Sequence, residues 1–418
     1  MSAHYRRGRC RLCDAGSLEN VLSLKATPPA NELVASPTAA DAQAVFPLDV
    51  HLCAACGHLQ LVDVVDPKRL FANYVYVSGT SPVFVAHFDA YAEQMCTRFG
   101  LGLKDVAVDI GSNDGVLLGA LRANGLRVLG IDPARDIAAQ ATASGIPTWA
   151  EFFDADVAQR VIDEFGKPKL VTANNVFAHA DDLIGIAAAV RAMLACDGVF
   201  VFEVSYLLDV YEKNLFDTIY HEHLAYHALR PLLPFFERVG LEVFDAERVG
   251  SHGGSLRVYV QHSGGAQMRG ESVAALIEEE ERVGLFAAST YRGWGERIAL
   301  LGEQLSQCLL SFCDDGLCIG GFGAPAKATT LLHQFGIGAP LLRFIIDDSP
   351  WKQGLHLPGL GIPIVGPDDP VAGDADVLLL LAWNFADPII ARHTAFLERG
   401  GKSVVPLPVL RIEKGASA

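Results

Sequence analysis

The stretch Tyr220-His221-Glu222-His223-Leu224-Ala225-Tyr226 puts two phenols, two imidazoles and a carboxyl into seven positions. Such a density suits a metal site, an acid/base centre, or a polar loop with no chemistry of its own. The spacing argues against a metal. His221 and His223 are two apart, so they face opposite sides of a strand and diverge on a helix. The H-E-x-x-H spacing of a helical zinc site is not met. A polar loop and proton handling both remain, and the position after the strand FVFEVSYL favours the second: an imidazole titrates near neutrality, and Tyr or His can donate to a developing oxyanion.

A second group does have metal spacing. Cys10 and Cys13 form CRLC, and Cys53 and Cys56 form CAAC. Two i, i+3 thiol pairs on tight knuckles present four sulfurs tetrahedrally, which suits zinc. With no open coordination position, the metal is expected to be structural, stapling a segment of little apolar content. His58 adjoins the second pair. The other cysteines are scattered, and an odd total of nine argues against a disulfide framework.

Two glycine turns follow. In VDIGSNDGVLL (108–118), Asp109 ends an apolar strand, Gly111 and Gly115 permit a close turn, and Asn113 and Asp114 lie between them. It is neither G-x-G-x-x-G nor a P-loop, so neither a dinucleotide pyrophosphate nor a triphosphate is indicated. In GGFGAPAK, Gly321 and Gly323 precede Lys327, an arrangement suited to phosphate at a helix start or to a plain tight turn. Asp347 ends the strand after it. His252 and Ser255, in SHGGSLRVY, are placed for a cleft, with Gly253 and Gly254 making the turn.

These residues need a scaffold. A strand–glycine loop–helix pattern in DVAVDIGSNDGVLLGALRANG is followed by a strand in RVLGIDPA, a strand running into a loop in KLVTANNVFAHADDL and a fourth strand at 198–207; strands alternating with helical segments make the pattern of a parallel, doubly wound sheet. A helix is expected over 81–100 and another over 231–239, with strands at LEVFDAERV and GSLRVYVQH. From about 314 the α/β rhythm restarts. The expected division is 1–68 as a zinc-binding module, 69–265 as a Rossmann-type domain with an active-site insertion, 266–312 as a helical bridge, and 313–418 as a second Rossmann-like domain.

The 418 residues suffice for more than one core. A net charge of −16 argues against a nucleic-acid polymer as partner. No apolar run reaches the roughly 18 residues of a membrane span, and no apolar segment follows the basic start as in a signal peptide. No membrane association and a cytoplasmic location are expected; the oligomeric state is left open.

The turn at 108–118 resembles the first motif of S-adenosylmethionine (SAM) methyltransferases. The resemblance implies that Asp132, in GIDPA, meets the ribose hydroxyls. It implies that Phe153, in EFFDAD, flanks the adenine, and that Asn174 and Asn175, in NNVFAH, close the cofactor site. Many such enzymes carry Glu where Asp132 stands; both reach ribose hydroxyls.

Across nearly its whole length the chain resembles the SAM-dependent C-methyltransferases of nucleotide-linked keto-deoxysugars. The four-Cys module, YVYVSGTS, DIGSNDG, NNVFAHADD, FEVSYL, FDTIYHEHLAY, GGSLRVY and GFGAPAKATTLL occur in family order. The resemblance implies methyl transfer to a ring carbon alpha to the ketone of a 4-keto-sugar, with C-3 favoured over C-5. It implies His223 as the base, Tyr220 on the enolate oxygen, Glu222 orienting the base or touching the sugar, and Tyr76 and His179 lining the sugar pocket. The C-terminal domain, through Gly323, Lys327 and Asp347, would take the sugar nucleotide. Competing readings are an NAD-dependent oxidoreductase using the second glycine turn, and a non-catalytic zinc-bearing scaffold.

Overall fold

The computed structural model describes residues 4–71, 79 and 82–415, without the side chains of Pro82, Val83 and His252. The chain divides into two units, each drawn from three separate segments. One comprises Met1–Glu19, His51–Leu208 and Leu224–Ala287; the other comprises Asn20–Val50, Asp209–His223 and Ala288–Ala418.

The first unit is built on a seven-stranded sheet. Its strands are β1 (Val106–Ile110), β2 (Arg127–Ile131), β3 (Thr148–Trp149), β4 (Leu170–Asn174), β5 (Val199–Ser205), β6 (Leu241–Val249) and β7 (Ser255–His262), in the order β6-β7-β5-β4-β1-β2-β3. β5, β4, β1, β2 and β3 run parallel, while β7 pairs antiparallel with β5 and β6. All five residues of β1 are buried, as expected of a central parallel strand covered on both faces. The covering helices include α1 (Pro82–Phe99), α2 (Val116–Ala123), α3 (Arg135–Ala143), α4 (Ala155–Phe165) and α5 (Leu183–Met193). Asp154 and Asp182 cap α4 and α5, each accepting a backbone N–H at 2.9 Å; such caps satisfy donors that the helix itself cannot.

The loops before and after the sheet are tied in the same unit. His4–Arg6 pairs antiparallel with Asp63–Val65, and Leu59–Leu61 with Ala225–Tyr226. After β5 and its loop comes α6 (Leu229–Arg238). Its N-terminus is capped from outside by Glu280 of α7 (Glu271–Val283), which accepts from Leu229 N, from Arg230 N at 3.0 Å and from Tyr206 Oη at 2.9 Å.

The second unit contains the long helix α8 (Ala288–Asp314), then β8 (Ile319–Phe322), α9 (Ala326–Phe335), β9 (Ile345–Ile346), β10 (Ile364–Val365), β11 (Val377–Leu380), β12 (Lys402–Val405) and β13 (Arg411–Lys414). The sheet order is β10-β9-β8-β11-β12-β13, parallel except for edge strand β13. The long helical stretch after residue 266 is thus two helices, one in each unit, parted at Gly284–Ala287. No helix of the described residues is long and apolar enough to cross a membrane.

Candidate functional site

The four cysteines converge. The Sγ atoms of Cys10, Cys13, Cys53 and Cys56 all lie within 4.8 Å of one another, with Cys10–Cys56 at 3.6 Å and Cys13–Cys53 at 3.5 Å. Thiolates about 2.3 Å from one tetrahedral zinc ion stand about 3.8 Å apart, so the set fits the metal. His58 is not a fifth ligand candidate of this set; it is buried, and its ring lies 5.4 Å from that of His227.

The first glycine turn sits at the carboxyl end of β1. Gly111 has φ +69°, and a Cβ there would come 2.2 Å from Val176 Cγ2. Asn113 is also left-handed, at φ 50°, a conformation that Asn tolerates better than most residues. Asp132, just beyond β2, holds the turn: one carboxylate oxygen accepts Asn113 N–H at 2.8 Å and the other accepts Ala134 N–H at 2.9 Å. Burial raises its pKa. Burial also pushes the Asp109 carboxyl up to about 7, against a 2.6 Å hydrogen bond from Thr172 Oγ1. Asp114 accepts Gly79 N–H at 2.8 Å.

The same edge carries polar atoms awaiting partners. Among the described residues, Ser112 Oγ, the second oxygen of Asp114 and both amide atoms of Asn174 are buried without a hydrogen bond. Buried polar groups are normally paired. A ligand rich in amine, carboxylate and hydroxyl groups, such as SAM, would supply the pairing. Asn175, at φ 56°, bonds through its N–H to Glu203 O. Phe153 lies half-buried in the loop between β3 and α4. His179 stacks on Phe71, ring centroids 5.6 Å apart and planes within 11°. Tyr76 lies outside the described residues, as does the side chain of His252. Ser255 is fully buried; its hydroxyl is 3.0 Å from Ser251 Oγ and donates to Ser251 O at 3.1 Å, so it secures its own turn.

Sequence reasoning missed a charged network at this edge. Glu203 on β5 ion-pairs with Arg257 on β7 and with His87 Nε2 at 3.0 Å. Burial pushes its carboxyl up, but His87 and Arg257 outweigh that and hold it below the ordinary value. FEVSYL contained Glu203, yet nothing in a single strand names a partner on a helix over a hundred residues earlier.

The imidazole cluster belongs to the second unit. His223 Nδ1 lies 2.7 Å from Thr218 O. A carbonyl only accepts, so Nδ1 carries the proton and Nε2 is the basic nitrogen. Burial lowers the ring's pKa to about 4, against that hydrogen bond, so it is neutral at physiological pH. The Tyr220 ring lies 4.1 Å from it, centroid to centroid. His221 points elsewhere: it is buried, with Nε2 3.2 Å from Phe46 O. The two imidazoles meet different backbone carbonyls.

Glu222 is held by a side chain from earlier in the same unit. Its two oxygens accept from a single donor, Asn31 Nδ2, at 2.8 and 3.0 Å, and burial raises its pKa to about 7. The Thr218 carbonyl is the acceptor that meets His223 Nδ1.

Beside this segment, Asp217 Oδ2 accepts from Trp383 Nε1 at 2.6 Å. Lys327 Nζ lies 2.5 Å from Asn384 Oδ1 and 3.7 Å from the centre of the Trp383 ring. Burial lowers its pKa to about 8, with Asp217 opposing. Gly323 has φ +82° and approaches Ala382 too closely for a Cβ. Asp347 accepts Ala324 N–H at 2.6 Å and Ser349 N–H at 2.8 Å. It braces the second glycine turn just as Asp132 braces the first.

A four-thiol cluster spaced for zinc, a mainly parallel sheet and an acid-braced glycine turn fit a zinc-bearing methyltransferase of the SAM-dependent class. Comparison with known proteins carries this further. Three family models match in order: a zinc binding domain over 10–71, a methyltransferase domain over 88–246 and a C-methyltransferase C-terminal domain over 250–408. The C-methyltransferase NovU of Streptomyces niveus is 36% identical over 403 residues, 96% of each chain. The chain belongs to this family and is a SAM-dependent C-methyltransferase. Among solved structures, a SAM-dependent methyltransferase from Clostridium acetobutylicum matches 43% of this chain and 92% of its own, at 14% identity and TM-score 0.35. Magnesium protoporphyrin IX methyltransferase from Synechocystis PCC 6803, with bound SAH, matches 42% of this chain and 82% of its own, at 16% identity and TM-score 0.33. The oxidoreductase and scaffold readings find no support in these matches.

Proposed function

We propose that the chain methylates a ring carbon, C-3 in preference to C-5, alpha to the ketone of a nucleotide-linked 4-keto-deoxysugar. The observation that carries this is the fixed tautomer of His223. A C–H alpha to a ketone must lose its proton before carbon can act as a nucleophile. His223 Nε2, neutral and oriented through the Thr218 carbonyl, takes that proton. The electron pair moves onto the ketone oxygen, and Tyr220, held against the His223 ring, donates to the resulting enolate. Asp109, Gly111, Asn113, Asp114, Gly115, Asp132, Phe153, Asn174 and Asn175 would hold SAM, which when bound would supply an electrophilic methyl group to the enolate carbon, its S–CH3 bond breaking to release the neutral thioether. Tyr76 and His179 line the sugar pocket in this reading.

The nucleotide is assigned to the second glycine turn. Gly323 allows close backbone approach, Lys327 brings a cation to the first turn of α9, and Asp347 keeps the loop in shape. His252 and Ser255 complete the substrate contacts. The zinc is structural, held by its four thiolates.

The test uses thymidine-diphosphate-linked 4-keto-6-deoxyglucose in deuterated water, with mass spectrometry of the sugar. Wild type is expected to exchange the alpha proton and, with SAM, to add a methyl group. His223→Asn keeps a donor for Thr218 O but has no base. Full methyl transfer by that variant, on this or any other keto-sugar accepted by wild type, overturns the base assignment.

A further inference from the structure

Arg11 stands between two zinc ligands, in Cys10-Arg11-Leu12-Cys13, yet its side chain is fully buried. A guanidinium is costly to bury unless its donors are satisfied. Its Nε donates to Asp181 Oδ1 at 2.9 Å, and Nη2, which makes no hydrogen bond among the described residues, is ion-paired with the same oxygen at 2.9 Å. Nη1 donates to Leu61 O, to Gln60 Oε1 at 3.2 Å and to Leu224 O at 3.3 Å. Asp181 lies two residues after His179, and Leu224 directly follows His223 in the chain. The two loops are joined again by backbone: Leu224 N and Ala225 N both donate to Ala178 O, at 2.9 and 3.1 Å. All these contacts lie within the first unit.

We infer that Arg11 is a positioning residue for methyl transfer, coupling the zinc knuckle to the 178–181 loop and to the backbone that follows the base. The knuckle fixes the Cα of Arg11; the guanidinium transmits that position to the 178–181 loop and to the chain entering the short strand at Ala225–Tyr226. The metal thereby does more than staple an N-terminal segment. This rests on the assignment of His223 and His179 given above.

Arg11→Met, Arg11→Lys and Asp181→Asn are compared with wild type by zinc content, SAM calorimetry, amide hydrogen exchange of peptides spanning 176–182 and 224–226, and turnover of the same keto-sugar. Exchange reports local opening and does not depend on which residues do chemistry. In Arg11→Met the expectation is one zinc per chain, unchanged SAM affinity, exchange at Leu224 and Ala225 at least tenfold faster, and kcat at least tenfold lower. Arg11→Lys, which keeps the charge but not the fork, recovers only part. Removing zinc from wild type by chelator speeds exchange at the same amides, and does so by less in Arg11→Met, where the link is already cut.

Wild-type exchange and kcat in a zinc-retaining Arg11→Met overturn the proposal, as does faster exchange with kcat unchanged. Should that variant lose zinc, Asp181→Asn decides by the same two readings, compared with Arg7→Met and Tyr5→Phe because Asp181 also pairs with Arg7 at 3.0 Å and accepts from Tyr5. The separate His223→Asn measurement reports on the base assignment alone, so failure of one is not mistaken for failure of the other.

Discussion

Asn31 holds Glu222 by one amide nitrogen that reaches both carboxylate oxygens, at 2.8 and 3.0 Å. Glu222 has a folded pKa of about 7 against 4.5 in the open chain, raised by burial and lowered by Asn31. Its contribution to stability is therefore present below about pH 4.5 and is lost as pH rises through about 7. Asn31→Ala removes the opposing donor and leaves a buried carboxyl unpartnered. A loss of about 1–3 kcal/mol is expected. The deficit, read from urea unfolding midpoints, should be greater at pH 8.5 than at pH 6.

His223 has the opposite sign. Its folded pKa of about 4 lies below the ordinary 6.5, so its contribution is present above about pH 6.5 and is lost as pH falls toward 4. The proton-abstracting form persists over the same range. The acid limb that this residue gives to alpha-proton exchange should fall below pH 5. A limb near 6.5 that disappears in His223→Asn would show a solvated imidazole and contradict the burial described here.

Gly111→Ala should abolish SAM binding in calorimetry. The added methyl meets Val176 Cγ2 at 2.2 Å, and the backbone stays at φ +69°. Adding Val176→Ala removes the collision but not the backbone strain of about 1–2 kcal/mol. Partial recovery in the double variant is therefore expected, and complete recovery would show that the turn does not need its left-handed conformation.

Asp132→Asn tests the brace. An Asn offers one acceptor, so its NH2 group would face the N–H of either Asn113 or Ala134. SAM affinity should fall tenfold or more, about 1.4 kcal/mol per decade, with zinc content unchanged. Equal affinity would mean that the turn keeps its shape without the carboxylate.

Local patterns carried much of this architecture. The strand–glycine–helix rhythm placed both sheets, the paired C-x-x-C spacing placed the thiol cluster, and the two-residue spacing of His221 and His223 argued against a shared metal. What they could not carry was contact between distant residues. Asn31 sits in PPANEL with no chemical signature, yet it is the partner of Glu222. Glu203 reads as one more strand residue until Arg257 and His87 close on it. Arg11 reads as a solvated charge on a knuckle until the loops around it are seen. In each case the deciding term is the desolvation of a charge by elements that lie far apart in sequence.

The interleaving of the two units bears on engineering. Residues 20–50 and 209–223 group with 288–418, so a chimera spliced at 288 would combine a transplanted C-terminal segment with two host segments from the same structural unit. Exchanging specificity among relatives by recombination should therefore succeed only when all three pieces travel together. A single crossover would leave foreign helix α9, whose Thr329 and Thr330 hydroxyls donate to Ala30 O and Ile219 O, against host segments that were never selected alongside it.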